Sequence, residues 1–136
     1  MHLLQRAARA VQAVADDGLA DLDLTSGQAG ALFVVPAEGA VGVNAVAEAL
    51  GLAQSAASVL MQRLEAQGLV ARTPDPDDRR AVRLALTAKG RALRARAAER
   101  AAEFNTRMAR GFSAAELETI ARFLEQTLAL KETKDD

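Results

Sequence analysis

The stretch VNAVAEALGLAQSAASVLMQRLEAQGLVARTPDPDDRRAVRLALT, residues 43–87, decides the reading of the whole chain. Asn44 is a good helix N-cap and Gly51 a good helix stop, so 45–50 reads as a short helix with Val46, Ala47 and Leu50 facing inward. After the turn Gly51-Leu52-Ala53, the spacing of Ala57, Leu60, Met61 and Leu64 predicts a second helix over 54–67 that buries those four and stops at Gly68. Gln54, Ser55, Ser58 and Gln62 are left on the exposed side, with Arg63 at its edge. Residues 69–73 and 82–86 then alternate apolar with polar around Pro74-Asp75-Pro76-Asp77-Asp78-Arg79-Arg80, too polar and Pro-rich for regular structure. Two such runs around such a loop make a β-hairpin with a protruding tip. Two helices followed by a hairpin is the plan of a winged helix.

Outward from this unit the chain reads as helix. Downstream, Thr87 caps a long helix over 88–110 with Leu93, Ala97, Ala101, Phe104 and Met108 along one stripe, and Gly111 breaks it. Ser113 and Glu116 have the spacing of a capping box, with Phe112 and Leu117 placed as a hydrophobic staple across it. The helix they start, 114–131, carries Leu117, Ile120, Phe123, Leu124 and Leu128 on one side, and 131–136 is a polar tail. Upstream, Thr25 and Gln28 form another capping box before an apolar helix over 29–35, which Pro36 stops, and 37–42 reads as a turn. A first helix over 2–16, with Leu4, Ala8, Val11 and Ala15 three or four apart, ends at Asp16-Asp17-Gly18. The expected fold class is therefore mainly α with a small β-hairpin (α+β), in one domain of 136 residues.

Composition narrows the chemistry. Half of the residues are hydrophobic but only 3% aromatic, with no Trp or Tyr, so Leu, Val and Ala must fill the core. There is no Cys, which excludes disulfides, thiolate metal sites and thiol sensors. His2 is the only histidine and sits at a chain end, which excludes a His-based metal site. No apolar run is long enough for a membrane span and no signal-peptide layout is present, so a cytoplasmic protein with no membrane partner is expected.

Net charge is −1, but it is unevenly spread. Residues 1–52 carry two Arg against six acids, −4; residues 53–96 carry eight Arg and one Lys against four acids, +5; residues 97–136 carry six basic groups against eight acids, −2. The positive block lies on the winged-helix unit, where a face that meets nucleic acid would want it. The second helix of a helix-turn-helix offers short polar side chains to base edges in the major groove. Here its start offers Gln54, Ser55, Ala56, Ala57 and Ser58, with Gln62 and Arg63 further in. Gln pairs with adenine, Ser with several partners, and Ala touches a thymine methyl. Arg79 and Arg80 stand at the hairpin tip, suited to a minor groove or to phosphates. Of Asp75, Asp77 and Asp78, Asp78 is the one expected to pair with an Arg and brace the loop.

LTSGQ followed by an apolar helix, then residues 43–87 and AKGRAL, resembles the multiple antibiotic resistance regulator (MarR) family, and the wing phrase DPDDRR…LT..G after RLE..GLV carries the resemblance most specifically. The resemblance implies a homodimeric winged helix-turn-helix regulator that binds double-stranded palindromic operator DNA, mostly as a repressor, and is often released by a small phenolic or other anionic effector. It implies that Gln54, Ser55, Ala57, Ser58, Gln62 and Arg63 face the major groove, that Arg79 and Arg80 sit on the wing, and that Asp78 braces it. Residues 1–35 and 88–131 would be dimerisation helices flanking the DNA-binding unit at 43–87. Three departures stand out: a short first helix, Ala53 where a capping Asp or Ser is common, and no Tyr or Trp to line an effector pocket, so no effector-binding residue is named. The competing readings are a winged helix that binds protein instead of DNA, and an enzyme. Neither a nucleophile–base pair nor a Gly-rich phosphate loop is visible for the latter, and no catalytic residue or cofactor is expected.

Overall fold

Where a helix begins is written in side chains, and both capping boxes form. In the computed structural model, which describes residues 1–130, the Thr25 hydroxyl accepts the Gln28 N–H at 3.1 Å and the Gln28 side chain accepts the Thr25 N–H at 2.9 Å. This opens α2, Ser26–Val34. Ser113 and Glu116 repeat the arrangement at the start of α6, Ala114–Ala129. Each satisfies backbone donors that have no partner within the helix. Hydrogen bonds from the Ser26 side chain and backbone hold the Asp16 carboxyl below its ordinary value. The Ser113 backbone and side chain do the same for Glu116.

The remaining helices are α1, His2–Leu19; α3, Val43–Leu50; α4, Gln54–Ala66; and α5, Ala88–Ala109; a single 3-10 turn, Ala20–Leu22, follows α1. Gly18 lies inside α1, which runs on past its expected end at Asp16 to Leu19. The N-cap of α3 is Gly42, so Asn44 sits in its first turn and caps nothing. Gly51 closes α3 with φ 63°, a left-handed conformation that glycine reaches without Cβ strain. Between α3 and α4 the chain bends by 111°, the angle of a helix-turn-helix. The expected last residue of the final helix, Lys131, and the polar tail lie outside the described residues.

Strands β2, Val70–Pro74, and β3, Val82–Leu86, form the expected hairpin, with Val70 opposite Leu86 and Pro74 opposite Val82. A third strand, β1, Val41–Gly42, pairs antiparallel with β3, giving the order β1-β3-β2. It lies within the segment expected to be only a turn. Two residues give alternation nothing to register; the pairing of Val41 with Leu84 makes the strand.

The chain forms two compact units, Met1–Ala101 and the residues from Ala102 onward. The first has a core of Leu19, Leu22, Leu24, Leu32 and Val35 from the N-terminal third, Val46, Met61 and Leu64 from α3 and α4, and Leu69, Val70, Leu84 and Leu86 from the sheet, with Ala97 of α5. In the second unit no described residue is buried. Among the described residues, no single helix is long and apolar enough to cross a membrane.

Candidate nucleic-acid interface

Helix α4 presents one face and hides the other. Its buried line is Ala57, Met61 and Leu64. At about 100° per residue, the line directly opposite is Ser55, Val59, Gln62 and Ala66, with Arg63 beside it, and all five are exposed. Gln54, three residues before Ala57, stands over the buried line but is exposed because the helix begins there. Ser58 lies at the boundary, half-buried. Ala57 is wholly buried, so it cannot face a groove as the family resemblance implied. The inward position read from its spacing is the correct one, because Ala57 shares its line with Met61 and Leu64. The apolar group on the outer face is Val59, 48% exposed. It is not among the residues that the sequence reading names for this face, although its spacing of two from Met61 puts it outside.

The start of α4 carries no side-chain cap. Ala53 occupies the N-cap with φ −63° and ψ 148°, and neither Gln54 nor Ser55 substitutes for it. An open groove of about 580 Å³ runs past this end, lined by Gly42, Val43, Asn44 and Ala45 of the α3 start, by Gln54, and by Asp75, Ala81, Val82 and Arg83 at the wing base. A smaller cleft of about 180 Å³ lies between α4 and the sheet, bordered by Ser58, Gln62, Glu65 and Arg72.

The wing tip closes on itself. The Asp75 N–H donates to the Ala81 carbonyl and the Ala81 N–H to the Asp78 carbonyl. The Asp75 carboxylate accepts the Asp77 N–H, and the Asp78 carboxylate accepts the Arg80 N–H, each at 2.9 Å. Asp78 therefore does brace the loop, but through a backbone donor two residues on and not through an arginine side chain. A short turn of this kind leaves the nearest donor on the main chain.

The positive block divides into two populations. Arg72 forms an ion pair with Glu65 at 2.9 Å. Arg83 donates to the Ala40 carbonyl at 2.8 Å, tying β3 to the segment before β1. Arg91 donates to the Leu86 carbonyl, and Arg94 to the Leu32 and Phe33 carbonyls at the end of α2. Lys89 donates to the Gln67 carbonyl at 2.9 Å. Among the described residues the side chains of Arg63, Arg79, Arg80 and Arg96 make no hydrogen bond or ion pair. Three of these four lie on α4 and the wing.

At its other end α4 is held firmly. Gln67 is bonded through its side chain to buried Gln28 at 3.1 Å and to the Asp23 carbonyl. The Thr87 hydroxyl donates to the Gly68 carbonyl at 2.6 Å and accepts the Gly90 N–H, capping α5 as expected. Gly90 passes so close to Leu69 that a Cβ there would lie 1.9 Å from the Leu69 carbonyl oxygen. The LT..G spacing thus encodes a joint.

A profile of the MarR family matches residues 22–81. The fold superposes on BpsR of Bordetella bronchiseptica, solved in a study of how 6-hydroxynicotinic acid regulates its DNA binding, with a TM-score of 0.84 and 31% identity over 93% of this chain and 90% of that one. A MarR-family transcriptional regulator from Rhodococcus sp. RHA1 gives a TM-score of 0.76 and 31% identity over 93% and 87%. The chain belongs to the MarR family. A mutant of Escherichia coli MarR, solved in complex with operator DNA, shares the fold at a TM-score of 0.84, with 22% identity over 93% and 91%. A comparison with curated protein sequences finds no match. This MarR-family chain is accordingly a DNA-binding transcriptional regulator and not an enzyme.

Proposed function

We propose that the protein is a homodimeric repressor that reads a palindromic operator with α4 and grips the adjoining backbone or minor groove with its wing. Gln54, Ser55, Ser58, Gln62 and Arg63 are the major-groove residues in this reading, and Arg79 and Arg80 the wing residues. The observation that carries it is the division of the basic residues: Arg72, Arg83, Lys89, Arg91 and Arg94 are bonded within the fold, while Arg63, Arg79 and Arg80, three of the four unengaged arginines of the positive block, are exposed on the two elements a winged helix brings to DNA. An isolated arginine without an internal partner gains most by neutralising a phosphate and releasing its counterion.

The reading extends to the assembly and its control. The whole chain, 1–136, acts as one MarR-type domain in which 43–87 binds DNA and 1–35 and 88–131 mediate dimerisation. What supports this is apolar surface without a core: Phe123 of α6 is 56% exposed and Leu128 74%, beside Ile120 and Leu124. Release by a small organic acid follows the regulation described for BpsR. A protein that acts on operator DNA in this way works in the cytoplasm.

The test is titration of the protein against DNA from upstream of its own gene across a salt series. A complex whose affinity falls steeply with salt is expected; no salt-sensitive complex overturns the reading. Light scattering at micromolar concentration should return a dimer mass, and a monomer removes the dimer from the proposal. A panel of small aromatic acids, 6-hydroxynicotinic acid included, tests release.

A further inference from the structure

We propose that Val59 is a specificity-determining residue that reads the C5-methyl group of a thymine, so that the operator half-site contains a T·A pair beneath the middle of α4. This rests on the reading of α4 as the helix that enters the major groove. Val59 lies on the outermost line of the helix, with Ser55 one turn before it and Gln62 one turn after. It is 48% exposed in the free protein. Ala57, a small apolar group of the same segment, is wholly buried and cannot take the role. Val59 is thus the largest apolar side chain on the face between Ser55 and Gln62.

The chemistry of the groove selects its partner. Among the four bases only thymine shows an apolar group, its C5-methyl, at the major-groove edge. Two branched methyls pressed against a guanine or cytosine edge would strip water from donors and acceptors without replacing the hydrogen bonds. Against thymine the same methyls meet a methyl. Val59 and Gln62 are separated by about 4.5 Å along the helix axis, close to the roughly 3.4 Å between successive bases of one strand. The two residues therefore address neighbouring base pairs, with Gln62 suited to an adenine.

Selection from a randomised duplex library with the intact protein gives the preferred site, and each thymine in it is then replaced singly by deoxyuridine, which removes only the methyl. At one position per half-site the loss should be about fourfold, the worth of one buried methyl-sized group. It should vanish in Val59→Ala, while thermal melting of that variant stays within about two degrees because the side chain belongs to no core cluster. Replacing the same thymine with cytosine should cost more, and 5-methylcytosine should restore about the fourfold that the methyl supplies. The proposal is overturned if no deoxyuridine substitution costs more than about twofold, or if the loss persists unchanged in Val59→Ala. Sequence-specific binding that ignores every methyl defeats this assignment alone, whereas no salt-sensitive complex with any library member defeats the DNA-binding reading together with it.

Discussion

The two ends of α4 are built on opposite rules. At the C-terminal end, Gln67 and Gly68 are bonded to Gln28, Asp23, Thr87 and Lys89, and α5 starts in van der Waals contact through Gly90. At the N-terminal end, Ala53 leaves the helix uncapped and the exposed residues are Gln54, Ser55 and Ala56. Neither the composition of the helix nor its length distinguishes the ends; their surroundings do. A helix fixed at one end and bare at the other keeps its orientation while leaving unspent donors where a partner arrives, because helix N–H groups without an internal partner are satisfied by whatever anion or acceptor comes close.

The contrast can be broken from the held end with the largest effect. Gly90→Ala forces a Cβ into the Leu69 carbonyl, and backbone on both sides must move. Overpacking of this kind costs about 3 kcal/mol, read by chemical denaturation, and DNA binding should fail along with folding. A loss under about 0.5 kcal/mol would mean that the joint between α4 and α5 yields easily.

From the free side, Arg79→Ala with Arg80→Ala should leave stability within about 0.5 kcal/mol, since neither side chain has an internal partner. Affinity for every DNA sequence should fall roughly 30-fold at about 0.15 M salt, and the salt slope should shrink by about 2. A change in base preference instead of a uniform loss would assign the wing to readout.

Making the two ends alike is a milder test. Ala53→Ser meets a backbone already in the extended conformation that an N-cap requires, and should add about 1 kcal/mol. If the bare N-terminus serves the DNA complex, affinity should fall even as the melting temperature rises; affinity that rises with stability would show that the missing cap is only a weakness.

The smallest expected effect is in pH. Asp16 and Glu116 both have lowered folded values through hydrogen bonds from Ser26 and Ser113. A depressed carboxyl contributes stability that is present above its unfolded value, near pH ~4, and lost as pH falls through the folded one. Melting temperature should therefore drop between about pH 5 and 3, and more shallowly in Asp16→Asn with Glu116→Gln. An identical slope in that variant would show that other carboxylates govern acid unfolding.

What was legible in the sequence was local. Both capping boxes, the Gly51 stop, the hairpin and the inner faces of α3 and α4 follow from residues within a turn or two of one another. What was not legible depended on partners far along the chain. Strand β1 exists because Val41 meets Leu84, far along the chain. Arg83 and Arg94 belong to the fold because carbonyls at Ala40 and Leu32 wait for them, and no spacing rule separates them from Arg79 and Arg80. Gln67 looks like any polar residue at a helix end until Gln28 is placed beside it. Ala57 was a conflict between periodicity and family likeness, and burial settled it for periodicity.

The wing tip, finally, closes through hydrogen bonds that begin and end within residues 75–81. Nothing outside that span is needed to shape it, and the side chains of Arg79 and Arg80 give it nothing but charge. Such a tip is a replaceable cassette: its arginines can be exchanged, multiplied or lost without any compensating change in the core. If the wing grips DNA as proposed, the strength of that grip can be changed there without altering α4.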